Sequence, residues 1–290
     1  MDAAAHHPAL LTLPSGHELP ALGLGTWRMG ESRTSHAAEL AALRLALDMG
    51  WRAFDTAEMY GDGGAESLLG EALAPALRAA LPREALYVVS KVYPHNATRE
   101  GVVRACERSL RRLRLDHLDL YLLHWRGNVP LHETVAGFEH LQQRGLIRHW
   151  GVSNFDREHL LDLVDVPGGA ACSANQVWYS LSRRGVEFDL LPWQRSRQMP
   201  LMAYSPIDQG TLLAAVPLRE LAQRRGVTPA QLALAWLLHQ PGVMVLPKSS
   251  HALHLQQNWG AAQLKLEAGE LARLDQAFPS PTTKQPLAVG

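Results

Sequence analysis

Along this chain, short runs of β-branched and apolar residues alternate with longer stretches in which apolar positions recur every three or four residues. The short runs read as buried strands and the longer ones as amphipathic helices, and their alternation at roughly 25 to 40 residues marks successive βα units. Near the start, LLTLPSGHELPALGLGTW holds a Pro-Ser-Gly turn between two extended pieces. That pattern predicts a hairpin plugging one end of the fold, followed by a first strand over residues 22–25. Residues 35–49 read as a helix closed by Gly50, 52–55 as the second strand, and 66–79 as a helix that Pro75 should shorten or kink. The third strand is expected over 86–91, then a helix capped by Thr98 that ends near Leu115, then a fourth strand over 118–124. A helix over 133–144 stopped by Gly145 leads to a fifth strand at 149–154, with the sixth and seventh at 172–177 and 201–205. Thr228-Pro229 marks a helix start with proline at its first position, the helix runs over 230–239, and residues 243–248 supply the eighth strand.

Eight strands with intervening helices predict a single (β/α)8 TIM barrel over residues 1–290, its N-terminal β-hairpin capping the barrel bottom. Residues 1–10 and 279–290 read as peripheral tails. The same elements could instead wind into an open sheet, but that fold announces itself with GxGxxG after the first strand. GLGTW has two of the glycines, no third, and no ribose-binding acid about twenty residues on.

Composition narrows the ligand. With 290 residues, 47% of them hydrophobic, the chain can bury one large core. Lysine plus arginine (28) equals aspartate plus glutamate (28), so no net field draws nucleic acid or an anionic membrane, and a small ligand is expected. Cys106 and Cys172 are too few for a disulfide framework and point to a reducing compartment. No signal peptide and no membrane-length apolar run is evident, so a cytoplasmic location is expected.

Four polar residues stand at strand exits: Asp55 ends the second, Tyr60 follows in the next loop, Lys91 ends the third and His124 the fourth. In a parallel barrel these exits meet on one face, where active sites of this fold are built. Singly, each has an ordinary reading as a helix cap, a solvated strand end or a packing tyrosine. Together they form a proton-delivery set. Reducing a carbonyl requires a proton for the oxygen as hydride reaches the carbon, and tyrosine, with a pKa of about 10, is a poor acid. Lys91 favours the phenolate and should bring that value down, Asp55 should pair with Lys91, and His124 can donate a hydrogen bond to the carbonyl oxygen. Farther along, Lys248, Ser249 and Ser250 precede a short helix at 251–258 whose N-terminal amides, with the lysine, make an anion site. His251 and His254 lie one helical turn apart, a spacing open to a metal, but the sequence places no further ligand and no metal is assigned.

Eight motifs in order, GLGTW (23–27), DTAEMYG (55–61), SKV (90–92), LLHW (122–125), GVSNF (151–155), NQV (175–177), AYSP (203–206) and LPKS (246–249), resemble the aldo-keto reductase superfamily from about residue 18 to 278. In DTAEMY, SKVYP, LLHW and HLQQN the likeness is greatest to bacterial methylglyoxal reductase-like and 2,5-diketo-D-gluconate reductase-like members. The resemblance implies a monomer that reduces a small carbonyl substrate with NADPH, NADH being the alternative, the cofactor lying extended across the barrel mouth. It implies that Asp55, Tyr60, Lys91 and His124 are the catalytic tetrad. Ser153, Asn154 and Gln176 would hold the nicotinamide carboxamide, and Tyr204 would stack on the ring. Ser205, Pro206, Ile207 and Gly210 would follow the pyrophosphate, with Gly25, Thr26 and Trp27 also at the cofactor. Lys248, Ser249 and Ser250 would take the 2′-phosphate, and Asn258 the adenine. His254 and Gln257 are placed with them at the cofactor, although many relatives carry arginine at the first position and glutamate at the second; His254 can still donate to the phosphate but lacks the fork that arginine offers. Trp27, Met59, Tyr93, His124 and Trp125 are expected around the substrate. The short segment after Phe278 is expected to leave the pocket open to small aldehydes such as methylglyoxal or aromatic ones. Trp178-Tyr179 departs from the charged and histidine-proline continuation common after NQV. Two other uses of such a barrel stand beside this one, an NADPH-binding regulatory subunit and a Schiff-base aldolase acting through Lys91.

Overall fold

The hairpin comes first. In a computed structural model, which describes residues 8–290, strands β1 (Leu10–Thr12) and β2 (Glu18–Pro20) pair antiparallel with Leu11 opposite Leu19. Eight parallel strands follow: β3 (Leu24–Gly25), β4 (Ala53–Asp55), β5 (Tyr87–Val92), β6 (Leu118–Leu123), β7 (Ile147–Ser153), β8 (Asn175–Trp178), β9 (Leu201–Tyr204) and β10 (Val243–Leu246). Each pairs with the next in chain order, and bridges from Leu22 to Val245 and from Gly25 to Lys248 join the last to the first. The barrel is closed.

Around it run α1 (His36–Met49), α2 (Gly64–Ala79), α3 (Arg99–Leu113), α4 (Leu131–Gln143), α5 (Arg157–Val164) and α6 (Leu190–Ser196). Two helices, α7 (Val216–Arg225) and α8 (Pro229–Leu238), connect β9 to β10, and α9 (Ala252–Gly260) and α10 (Ala268–Ala277) follow the last strand. The local signals act as their chemistry requires. The Thr98 hydroxyl accepts the Gly101 amide (3.1 Å), Thr228 and Gln231 form a capping box ahead of α8, and Gly50 takes the left-handed conformation (φ 102°) that closes α1. Pro75 does not break α2, which begins earlier than expected and runs through it. The buried face of Leu68, Leu69, Ala72 and Leu73 holds the helix against the roughly 3 kcal/mol that an interior proline costs.

Strand residues sort by parity, as a pleated sheet demands. Phe54, Val88, Tyr121, Trp150, Val177 and Ala203 face the helices, whereas Ala53, Val89, Leu120, Leu122, Ala174, Met202, Met244 and Leu246 fill the barrel. Leu13 and Leu19 of the hairpin belong to the inner group, so the hairpin seals the bottom with apolar side chains. Burying Leu19 completely contributes about 1.5–3 kcal/mol to that seal.

Residues 279–290 run over the surface, none of them buried, and are pinned there. Arg184 donates to the Phe278 carbonyl and the Ser280 hydroxyl (each 2.6 Å), and Lys284 pairs with Glu158 and Asp189. Leu287 packs on the core and Gly290 lies against Trp178 at the barrel mouth. Of the expected N-terminal tail, residues 1–7 fall outside the described part of the chain and Leu10 begins the hairpin.

Candidate active site

The inward parity that packs the barrel also selects the residues at its mouth. Two positions beyond Ala53 comes Asp55, beyond Val89 Lys91, beyond Leu122 His124, beyond Ala174 Gln176, beyond Met202 Tyr204, and beyond Leu246 Lys248. Each inner column of apolar side chains therefore ends in a polar group on the same rim. Tyr60 reaches that rim from the turn after β4, which the backbone completes with Gly61, Asp62 and Gly63 all at positive φ.

Lys91 is the hub. Its ammonium, fully buried, donates to Asp55 Oδ2 (2.7 Å), the Thr56 carbonyl (2.9 Å) and the Tyr60 hydroxyl (3.1 Å). Asp55 is held in turn, its Oδ1 by the Gln176 amide (2.8 Å) and its backbone oxygen by the amide and hydroxyl of Thr26. His124 stands edge-on to the Tyr60 ring, with centroids 5.7 Å apart. Its Nδ1 is buried without a hydrogen-bond partner.

A tight crossing sets the Tyr60 turn. A β-carbon on Gly30 would fall 2.3 Å from the Gly64 carbonyl carbon, and one on Gly64 would fall 2.3 Å from the Gly30 oxygen. Gly30 also sits at φ 71°. The two loops thus touch backbone to backbone, which only glycine permits.

The electrostatics follow from burial. Burial pushes the Tyr60 hydroxyl above phenol's ordinary value; Lys91 pulls it back only in part, and Asp55 adds to the rise. The net lowering expected from Lys91 alone is therefore reversed, because the phenolate would lose more hydration than one ammonium restores. Burial also works against the Lys91 charge, but Asp55 and then Tyr60 more than offset it, so the lysine pKa is raised. An ammonium so held is not the free amine that Schiff-base chemistry needs. Burial, aided by Lys91, holds His124 well below its ordinary value, so the imidazole is neutral near pH 7.

A cavity of about 790 Å3 opens above this cluster. Of the expected cofactor and substrate residues, Gly25, Trp27, Asp55, Met59, Tyr60, His124, Ser153, Asn154, Gln176, Tyr204, Ser205, Pro206, Ile207, Gly210, Lys248, His254, Gln257 and Asn258 line it. Thr26 lies beneath, bonded to Asp55, and Ser249 is bonded to the His251 amide at the start of α9 (3.0 Å) rather than lining the cavity. Ser250 is likewise outside the wall. Tyr93 and Trp125 do not line it: they meet edge to face (5.8 Å), Trp125 against His124 and Tyr93 stacking on His95. The rim residues hold one another. Asn154 donates to the His124 carbonyl (3.1 Å) and accepts from the Tyr204 hydroxyl (2.9 Å). Trp178 donates to Asp208 (2.7 Å), which fixes the loop carrying Ile207 and Gly210. His251 and His254 rings lie 5.4 Å apart, and no group of three metal-ligating side chains occurs among the described residues.

Sequence reading missed Arg28, Leu213, the Thr228 to Ala230 segment, Leu246, Leu253 and Gly290, which also line the cavity. Arg28 lays its guanidinium over the Trp27 ring, 4.3 Å from the centroid. The residues present fit an extended dinucleotide phosphate: side-chain amides and an aromatic ring beside Tyr60, and Lys248 with the start of α9 at the other end, where an anion is favoured.

The sequence profile of the Aldo/keto reductase family matches residues 21–278. Methylglyoxal reductase YeaE of Escherichia coli K12 is 47% identical over 274 residues, covering 93% of this chain and 94% of that protein. Methylglyoxal reductase DkgA of Escherichia coli O157:H7 is 34% identical over 279 residues, with 93% and 94% covered. Among solved structures, an aldo-keto reductase from Klebsiella pneumoniae in complex with NADPH superimposes with a TM-score of 0.92 at 43% identity, covering 98% of this chain and 100% of that one. A profile match over most of the chain, relatives above 30% identity across their length and a shared closed barrel agree: the chain belongs to the aldo/keto reductase family.

Proposed function

We propose that this enzyme reduces small aldehydes, methylglyoxal or aromatic aldehydes among them, to alcohols with NADPH, and that Tyr60 is the proton donor. The observation that carries the proposal is the position of the Lys91 ammonium, 2.7 Å from Asp55 and 3.1 Å from the Tyr60 hydroxyl, buried beneath these two cavity-lining residues. When bound, the nicotinamide supplies the hydride. Tyr60, kept protonated by burial, gives its proton to the carbonyl oxygen. The phenolate left behind faces Lys91, whose charge Asp55 maintains. Neutral His124 fixes the carbonyl oxygen by hydrogen bonding, and Trp27 and Met59 exclude water around it.

The cofactor reading rests on the chain's own donors. Ser153, Asn154 and Gln176 hold the carboxamide, Tyr204 the ring face, and Ser205 to Gly210 the pyrophosphate. Lys248 and the start of α9 favour a 2′-phosphate, hence NADPH, while His254 in place of an arginine leaves room for NADH. The NADPH complex of the Klebsiella pneumoniae relative and the methylglyoxal reductase name of the Escherichia coli one agree with this reading. Tyr60→Phe tests it. Turnover of methylglyoxal should vanish while NADPH still quenches protein fluorescence with unchanged affinity; reduction at the wild-type rate would remove Tyr60 from the chemistry.

A further inference from the structure

Glu58 is a buried carboxylate with no part in the proton path, 6% exposed, two residues before Tyr60. Its Oε1 accepts the Tyr93 backbone amide (2.8 Å) and the Asn96 side chain (3.0 Å), and its Oε2 accepts from Arg108 on α3 (3.2 Å). Its own amide donates to the Lys91 carbonyl (3.3 Å). Tyr93 in turn follows Lys91 by two residues. The contacts close a ring: Tyr60 to Glu58 along the chain, Glu58 to Tyr93 by hydrogen bond, Tyr93 to Lys91 along the chain, and Lys91 to Tyr60 by hydrogen bond.

We propose that Glu58 is a positioning residue, locking the turn that carries Tyr60 to the exit of β5 and so setting the distance between the Tyr60 hydroxyl and Lys91. The same carboxylate seats Tyr93, whose ring meets Trp125 and through it the side chain of His124. One side chain thereby registers the proton donor against both its activator and its polariser. Reach matters as much as charge, since the carboxylate spans from one loop to the next. Aspartate is a methylene too short to hold Tyr93, whereas glutamine keeps an acceptor oxygen at full length for Tyr93 and Asn96 and gives up the charge and the hydrogen bond from Arg108, toward which its NH2 turns and which is exposed enough to swing into water.

The inference rests on Tyr60 being the donor, so Tyr60→Phe is measured alongside. With NADPH and methylglyoxal, Glu58→Asp should lower kcat by about ten- to a hundredfold, the scale on which misplacement by an ångström acts, with NADPH affinity unchanged by fluorescence titration. Glu58→Gln should recover kcat to within about fivefold of wild type. A role confined to stability would move melting temperature without splitting kcat from NADPH affinity. Glu58→Asp with kcat within about twofold of wild type, or outperforming Glu58→Gln, overturns the inference. An active Tyr60→Phe defeats the proposed function instead; an inactive one beside an unimpaired Glu58→Asp defeats only the role of Glu58.

Discussion

Asp55→Asn removes one charge from the site while keeping shape and the bonds to Gln176 and Thr26 available. It leaves Lys91, with none of its surface exposed, as an ammonium without a counterion. At the observed 2.7 Å, the attraction lost is about 6 kcal/mol for an effective dielectric of 20. Part of it is recovered by relaxation and by deprotonation, and breaking a buried pair by removing one partner costs about 3–5 kcal/mol. For a chain of this size that corresponds to a melting temperature lower by roughly 5 to 8 °C at pH 7. The pH dependence gives the sign. In the wild type the Lys91 pKa is raised above its unfolded value, so the pair's contribution is complete below the ordinary lysine range and is lost only as pH rises beyond it. In the variant, burial, the largest single influence, is opposed by Tyr60 alone, so the Lys91 pKa should fall below its unfolded value, the unfolded chain then binds that proton more tightly, and stability increases with pH. The gap between the two proteins should therefore narrow from pH 7 to 9.5. Calorimetric melts across that range measure it, with Asp55→Asn/Lys91→Met expected to regain most of the loss at pH 7. A variant melting within about 2 °C of wild type at pH 7, or a gap indifferent to pH, would refute the reasoning.

Two further outcomes follow. His254→Arg should tighten NADPH binding by about tenfold and leave NADH affinity unchanged, because a forked cation gains only where a 2′-phosphate is present; parallel changes in both titrations would place His254 elsewhere. Gly30→Ala should cost more than about 3 kcal/mol in chemical denaturation, from the left-handed backbone and the overlap with Gly64, and should depress kcat through the Tyr60 turn. A variant as stable and active as wild type would mean that the two loops part freely.

The rim was legible where periodicity reaches it. A strand of period two carries its inner column forward, so Asp55, Lys91 and His124 could be placed at strand exits on one face, with the eight strands correct to within a few residues, whereas Gln176 and Tyr204 came from the family resemblance. What depends on depth or distance was not legible. Residue types name the partners of Tyr60, but the direction of its shift is decided by how much water the fold removes. Arg28, Leu253 and Gly290 meet at the cavity from remote segments and carry no local signal. The tail's path is set by Arg184, bonded to Ser280 across 96 positions of sequence. Tyr93 and Trp125, expected at the wall, do not line it; they pair edge to face with each other, against His95 and His124, and such a pairing carries no signal in the sequence.

The glycine crossing beneath Tyr60 constrains how such a protein can change over generations. Gly30 and Gly64 each occupy the space in which the other's side chain would stand, so a larger residue at either position forces the two backbones apart. Variation near Tyr60 would be channelled instead into loop length, where an inserted residue lifts one backbone off the other. A lineage diverging in substrate choice would then be expected to reshape the outer walls and leave this contact as an inherited hinge point around which they vary.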